Sequence, residues 1–62
     1  MVEIFLKDRV DEICVDGDDA HFESVDGVGM VLRVYETGDG YIATRVTGEF
    51  KADDVQGWRV DD

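Results

Sequence analysis

The stretch Gly29-Met30-Val31-Leu32-Arg33-Val34-Tyr35-Glu36 decides the fold that this sequence predicts. Strand side chains point alternately to opposite faces of a sheet, and in this stretch both faces are largely apolar. One face carries Met30, Leu32 and Val34, and the other carries Val31 and Tyr35. Strands that are buried on both faces show this pattern. We therefore predict a strand over residues 29–36 that is central to a sheet or covered by a second subunit.

Asp-Gly steps before this strand predict its neighbours. Asp26-Gly27 directly precedes it, and Asp16-Gly17 lies further upstream. Asp-Gly between apolar runs favours hairpin turns, because glycine accepts the positive φ angles that these turns need. We predict hairpins at both steps, with a strand over residues 20–25 between them that points Phe22 inward.

The rest of the chain completes an antiparallel meander. Further strands are predicted over residues 2–6, 10–15, 41–47 and 58–60, a hairpin loop over 37–40, and one helical turn near 52–56 closed by Gly57. Residues 7–13 are an alternative site for a helical turn, and Gly48 is expected to bulge its strand. Ten valines and no proline favour strand over helix. The predicted fold is one all-β domain over residues 1–62, a small antiparallel meander curled into a half-open barrel or β-roll.

Acidity is the strongest compositional feature. Sixteen acidic residues, eleven of them aspartate, face six basic residues, and the formal net charge is −10. This charge repels itself in dilute salt, but the Debye length falls to about 3 Å in 1 M salt. The composition resembles that of halophilic archaeal proteins from salt-filled cytoplasm, although no motif carries the resemblance. The alternative is an acidic partner-binding protein of a low-salt cell.

The composition also bears on partners and location. Nucleic acid is not expected as a partner, because neutralising phosphates requires clustered lysine or arginine and the chain has no basic stripe. The longest apolar runs have three residues, far short of the roughly 20 that span a bilayer. No basic segment precedes an apolar one at the N-terminus. We expect a cytoplasmic protein with no membrane association.

The small size of the chain predicts self-association. A domain of 62 residues has a marginal core and needs support from a disulfide, a metal or another chain. The single cysteine, Cys14, allows no intrachain disulfide. With His21 it also provides too few ligands for a tetrahedral zinc site. We therefore expect a homo-oligomer, most simply a symmetric dimer.

Aromatic and arginine residues give the most specific functional hypothesis. Tryptophan, tyrosine and arginine are the residue types that anchor protein interfaces. We predict a non-enzymatic protein that interacts with itself, or with another protein, through a strand edge and an aromatic face. The candidate interface residues are Phe5, Arg33, Tyr35, Tyr41, Arg45 and Trp58. The alternative is that the aromatic residues fill the core and the arginines pair with surface acids.

Two other functions stay open as alternatives. A nucleic-acid-associated β-barrel would stack bases on the candidate aromatic residues, and Arg33, Arg45 and Arg59 would then have to form one patch. A weak divalent-cation or small-ligand module would use Asp16, Asp18, Asp19 and Asp26. The match of this stretch to a calcium-binding EF-hand loop fails at several positions, and a turn whose aspartates bond the local backbone is favoured.

Candidate catalytic residues lack a supporting context. A general base needs a nucleophile within reach, and His21 forms no recognisable motif with Ser24, so we predict a partly exposed strand histidine. Cys14 lies among acids, including Asp11 and Glu12, that disfavour its thiolate. We therefore predict that it is a small buried hydrophobe. The glycines show no phosphate-loop or dinucleotide motif, and we expect no enzyme activity, no cofactor and no metal site.

Overall fold

A computed structural model describes residues 1–41 and 43–61. Strands dominate this part of the chain, and a single short 3-10 helix interrupts them. The elements are β1 (Val2–Leu6), β2 (Ile13–Val15), β3 (Asp19–Val25), β4 (Gly29–Glu36), β5 (Arg45–Lys51), the 3-10 helix (Ala52–Asp54) and β6 (Val55–Val60). In the residues so described, no helix has the length and apolarity that crossing a membrane requires.

The six strands form two antiparallel sheets of three strands each. Sheet 1 has the order β2-β1-β6, and sheet 2 has the order β3-β4-β5. The two sheets do not close into a barrel over the described residues. The predicted all-β fold, a small antiparallel meander that stays half open, is therefore confirmed.

The hydrophobic core lies between the two sheets. The central strands β1 and β4 supply its best-buried side chains, since Val2, Ile4, Leu32 and Val34 are each 0% exposed. The rest of the core comprises Ala20, Val55 and the partly buried Leu6, Ile13, Val15 and Phe50. Each fully buried aliphatic side chain contributes about 2 kcal/mol, so the two central strands hold most of the stabilising surface.

Strand β4 has the bounds and the central position that its sequence predicts. Leu32 faces the core, and Val31 on the opposite face is also buried, at 1% exposure. Glu23 and Lys51 lie beside Val31 on the neighbouring strands. Met30 departs from the pattern, because it is 52% exposed near the start of the strand.

The hairpin at Asp26-Gly27 is confirmed. It joins β3 to β4, which pair from Asp19 opposite Tyr35 to Val25 opposite Gly29. Gly27 has a φ of +79°. The turn is closed by the N–H of Val28, which donates to the carbonyl oxygen of Val25 at 3.1 Å.

The predicted hairpin at Asp16-Gly17 is wrong. Strand β2 pairs with β1 and strand β3 pairs with β4, so the residues between β2 and β3 cross from sheet 1 to sheet 2. A Cβ on Gly17 would lie 2.8 Å from the carbonyl oxygen of Tyr35 and 2.8 Å from Val34 Cγ1. Glycine is needed here because the backbone passes close to β4, and not because two strands turn back on each other.

Strand β5 lies further along the chain than predicted. It spans Arg45–Lys51 instead of residues 41–47, and Thr44 precedes it. Ile42, predicted to share a face with Thr44 and Val46, lies outside the described residues. The register of the β4–β5 pair explains the shift, because β5 pairs along β4 as far back as Val31, which is opposite Lys51.

The predicted irregularity beside Gly48 is confirmed. Val34 pairs with Gly48 and Tyr35 pairs with Val46. Thr47 is therefore the extra residue of a bulge, which lets the strand bend and continue.

The helical turn predicted near residues 52–56 is confirmed in a shorter form, as Ala52–Asp54. Gly57 does not close it, and that part of the prediction is wrong. Gly57 lies within β6 opposite Phe5, whereas Leu6 pairs with Val55. Gln56 is therefore the extra residue of a second bulge, which lies in β6 directly after the helix.

Candidate interaction surface

Along one side of the molecule, strand β5 approaches β2 and the segment that follows β2 closely. A Cβ on Gly48 in β5 would lie 3.1 Å from Val15 Cγ1 in β2. The Thr47 hydroxyl donates to the carbonyl oxygen of Asp16 at 2.5 Å and lies 3.3 Å from that of Val34. We call this the closed side, and it is defined by Val15, Gly17, Thr47 and Gly48.

Along the opposite side, β3 and β6 leave the edge of the core in contact with water. Phe22 of β3 and Trp58 of β6 meet edge to face, with ring centroids 5.1 Å apart and planes at 90°. Phe22 lies opposite Leu32 and Trp58 lies opposite Ile4, so both rings extend the core. Phe22 is nevertheless 46% exposed and Trp58 36% exposed. We call this the open side, and it is defined by Phe22 and Trp58.

Two more exposed apolar side chains lie on the same faces as the open-side rings. Met30 is diagonally across from Phe22 on the core-facing side of β4. Val60 follows Trp58 on the core-facing side of β6 and is 42% exposed. Exposed apolar surface of this kind is typical of interaction sites.

Strand β3 differs from the other edge strands of the two sheets. Strands β2, β3, β5 and β6 are the edges. Strand β2 has three residues, and β5 and β6 carry bulges at Thr47 and Gln56. Short and bulged edges resist pairing with further strands. Strand β3 pairs with β4 over seven residues with no register shift, which makes it the long regular edge of the described chain.

The outer face of sheet 2 carries a polar network with Glu23 at its centre. The Tyr35 hydroxyl donates to Glu23, and Arg33 Nη1 donates to it at 3.2 Å. His21 Nε2 lies 2.6 Å from Glu23 Oε1, and the His21 ring stacks on Tyr35 with centroids 5.0 Å apart. Arg33 Nε also donates to Glu49 at 3.1 Å. The charges of this network are therefore largely engaged with one another.

The network shifts the ionisation of its members. The hydrogen bond from Tyr35 lowers the pKa of Glu23, and contacts with His21 and Arg33 lower it further. The same hydrogen bond raises the pKa of Tyr35. The pKa of Arg33 is raised by its side-chain interaction with Tyr35 and, to a smaller extent, by its hydrogen bond to Glu49. Both shifts favour the states that these groups already have at neutral pH, an ionised Glu23 and a protonated Tyr35.

The six predicted interface residues lie on several different surfaces. Arg33 and Tyr35 come together in the outer network of sheet 2, whereas Trp58 lies on the open side. Phe5 is partly buried on the outer face of sheet 1. Tyr41 is fully exposed in the loop between β4 and β5. The structure therefore does not bring the predicted set together as one patch.

The arginines pair with glutamates. Arg33 bonds Glu23 and Glu49, Arg45 Nη2 lies 3.0 Å from Glu36 Oε1, and Arg59 Nε donates to Glu3 at 2.6 Å. The hydrogen bond to Glu3 raises the pKa of Arg59. Arg33 and Arg59 lie on the outer faces of different sheets, so they do not form the shared basic patch that nucleic-acid binding would need.

Phe22 is the open-side residue that the sequence prediction misses. The alternation of residues 20–25 correctly points its side chain inward. The sequence of residues 20–25 contains no signal that β3 is an edge strand, because edge position depends on which strands pair with one another within each sheet. An inward aromatic residue at such an edge stays partly exposed, and only the topology shows this.

Asp18 ties the segment that crosses between the sheets to the end of β4. Its carboxylate accepts hydrogen bonds from the Thr37 N–H at 3.1 Å and the Thr37 hydroxyl at 2.8 Å. Its own N–H donates to the carbonyl oxygen of Tyr35 at 2.9 Å. Asp19 bonds the N–H of Ala20 at 2.9 Å. These two aspartates of the acidic stretch therefore hold backbone in place.

Cys14 is exposed, so the prediction of a small buried hydrophobe is wrong. Strand β2 alternates, and Ile13 and Val15 take the core-facing positions, which leaves Cys14 on the outer face opposite Glu3. Glu3, Glu12 and Cys14 have ligand atoms within 4.8 Å of one another, the one such group in the described chain. Pairing of β1 with β2 places Glu3 opposite Cys14, and Glu3 is bound by Arg59.

The open side is the candidate functional surface. It combines two exposed aromatic rings with the long regular edge of β3. No pocket is found within residues 1–41 and 43–61. In comparisons with known proteins, no family model, no curated protein and no solved structure matches this chain.

Proposed function

We propose that this is a non-enzymatic interaction protein that self-associates as a dimer through the open side. The observation that carries the proposal is the Phe22–Trp58 pair, which extends the core but is 46% and 36% exposed. A second copy placed over these rings removes apolar surface from water, at about 25 cal/mol per Å². Aromatic side chains at the centre of such a contact are typical interface anchors.

We further propose that the acidic surface adapts the protein to concentrated salt, as in the cytoplasm of a salt-loving archaeon. Two copies that each carry a formal charge of −10 repel strongly in dilute salt. At 1 M salt the Debye length is about 3 Å and most of this repulsion is screened. Stability and self-association should therefore both increase with salt.

Light scattering at several salt concentrations tests this function. We expect the mass to rise from 7.0 kDa toward twice that value between about 0.1 and about 2 M salt, where screening becomes nearly complete. Phe22→Ser should prevent the rise. Val10→Ser is the matched control, because Val10 is also apolar and fully exposed but lies in the loop between β1 and β2.

Two outcomes would refute the proposed function. One is a strict monomer at every salt and protein concentration. The other is a dimer that Phe22→Ser leaves unchanged while circular dichroism shows the variant to be folded. A folding midpoint that does not change with salt would separately remove the proposed adaptation to salt.

A further inference from the structure

We infer that the dimer forms by antiparallel pairing of β3 with β3 of a second copy, in the register that places Phe22 opposite Phe22. This inference rests on the proposed self-association and specifies its geometry. The pairing would join sheet 2 of each copy into one continuous sheet, with a two-fold axis between the two central phenylalanines.

Strand β3 is the edge strand best suited to pairing, because the four edge strands differ in length and regularity. An edge strand offers unpaired backbone N–H and C=O groups that act as a template for another strand. Strand β2 is too short, and the bulges in β5 and β6 disturb the spacing of these groups. Strand β3 keeps a regular register over Asp19–Val25, and it also carries Phe22.

Symmetry limits the possible registers. In a continuous sheet, residues that lie opposite each other across two antiparallel strands point to the same face. A two-fold axis perpendicular to the sheet then passes beside a residue that faces its own copy. For the middle of β3, that residue is His21, Phe22 or Glu23.

Charge distinguishes these three registers. An axis at His21 places Asp19 opposite Glu23 of the second copy, and an axis at Glu23 places two copies of that carboxylate opposite each other. Like charges directly opposite each other destabilise a strand pair. An axis at Phe22 instead places His21 opposite Glu23, twice, and Ala20 opposite Ser24. Within one chain His21 Nε2 lies 2.6 Å from Glu23 Oε1, and this register would place a second imidazole beside each Glu23 carboxylate.

The same register also covers the exposed rings of the open side. The two Phe22 side chains lie beside the axis on the core-facing side of the joined sheet, and each contacts the Trp58 ring of its own chain. Aromatic residues directly opposite each other on paired strands attract. One arrangement therefore pairs the free backbone groups of β3, places His21 opposite Glu23 and covers the exposed Phe22 ring.

The surroundings of β3 make this pairing dependent on salt. Residues 16–26 contain five carboxylates and no lysine or arginine. The pairing brings two such segments together, and their repulsion is screened only when the Debye length becomes short. The register gives local complementarity between His21 and Glu23 within a segment that is repulsive as a whole.

Charge substitutions at His21 test the register. At intermediate salt, His21→Lys should tighten the dimer and His21→Glu should loosen it. We expect each change in the dissociation constant to be roughly fivefold, because each substitution acts at two symmetric pairs. Val10→Lys and Val10→Glu make the same changes in net charge away from β3 and serve as matched controls.

The possible results separate the register from the proposed function. If His21→Lys and His21→Glu both loosen the dimer, or neither changes it, the Phe22-centred register is wrong while self-association stands. A wild-type protein that stays monomeric removes both. Hydrogen exchange of the wild type gives an independent test that needs no variant. The β3 amides that point away from β4 should become protected as protein concentration rises in about 2 M salt, and unchanged exchange of these amides in a proven dimer would overturn the pairing.

Discussion

The closed and open sides solve the same structural problem in different ways. Both must cover the space between two small sheets. On the closed side, glycine lets the backbone approach neighbouring strands, and a Cβ on Gly17 would lie 2.8 Å from the carbonyl oxygen of Tyr35. On the open side, the rings of Phe22 and Trp58 extend into water from the core.

Substitutions on the two sides should therefore affect different quantities. Close backbone contacts cannot adapt to added atoms, so substitutions on the closed side should mainly lower the free energy of unfolding. The open-side rings lose less burial when replaced, because each is already partly exposed. Substitutions there should mainly change the affinity between copies.

The largest expected effect is that of Gly17→Ala. The new methyl group would overlap the Tyr35 carbonyl oxygen and Val34, and Gly17 has a φ of +155° that other residues rarely adopt. We expect a loss of about 3 kcal/mol in the free energy of unfolding, measured by urea denaturation. Gly27→Ala is the control, because Gly27 also has positive φ but a Cβ there meets nothing within 4 Å. Equal losses in the two variants would mean that the positive φ angle, and not the close approach to β4, requires glycine at position 17.

A smaller effect on the same side is expected from Thr47→Val. The substitution removes the hydroxyl that bonds the carbonyl oxygen of Asp16 at 2.5 Å but keeps the branched shape. We expect a loss of about 1 kcal/mol in the free energy of unfolding, whereas Thr47→Ser, which keeps the hydroxyl, should lose less. If Thr47→Ser were the more destabilised variant, packing would matter more here than the hydrogen bond.

On the open side, Phe22→Ser should weaken association more than it lowers the stability of the monomer. In dilute salt, where the protein should be monomeric, we expect a loss of no more than about 1 kcal/mol, because the side chain is already 46% exposed. In concentrated salt the dimer should weaken by more than about tenfold. Analytical ultracentrifugation and urea denaturation of the same samples provide both values. A large loss of monomer stability with unchanged association would reverse the roles assigned to the two sides.

The smallest expected effect is that of Tyr35→Phe in the outer network of sheet 2. The hydrogen bond from Tyr35 lowers the pKa of Glu23 below its usual 4.5. Glu23 therefore stabilises the fold above about pH 4.5, and this contribution is lost as the pH falls through its folded-state pKa. Without the hydroxyl, we expect that pKa to rise and acid unfolding to begin at a higher pH. Carboxyl chemical shifts of Glu23 measured by NMR test this, and an unchanged titration would contradict it.

The sequence predicts the features that depend on local pattern. Strand β4 has the predicted bounds, because apolar residues occupy both of its faces and only Arg33 interrupts them. Asp26-Gly27 forms the predicted hairpin, since the strands on either side are neighbours in the same sheet. The helical turn and the irregularity at Gly48 are local as well, and both are present.

Features that depend on long-range pairing are not visible in the sequence. Asp16-Gly17 has the same pattern as Asp26-Gly27, but it connects different sheets, because β2 pairs with β1 and not with β3. The exposure of Phe22 has the same origin, since it depends on β3 being an edge strand. The predicted interface set contains Trp58 but lacks the ring that packs against it.

Fluorescence of Trp58, the only tryptophan in the chain, tests the central claim most directly. The measurement is acrylamide quenching in concentrated salt as the protein concentration is raised through the monomer–dimer transition. If the open side is the interface, quenching should fall as the mass doubles, and Phe22→Ser should show neither change. A mass that doubles while Trp58 stays equally accessible to acrylamide would place the interface elsewhere and contradict the account.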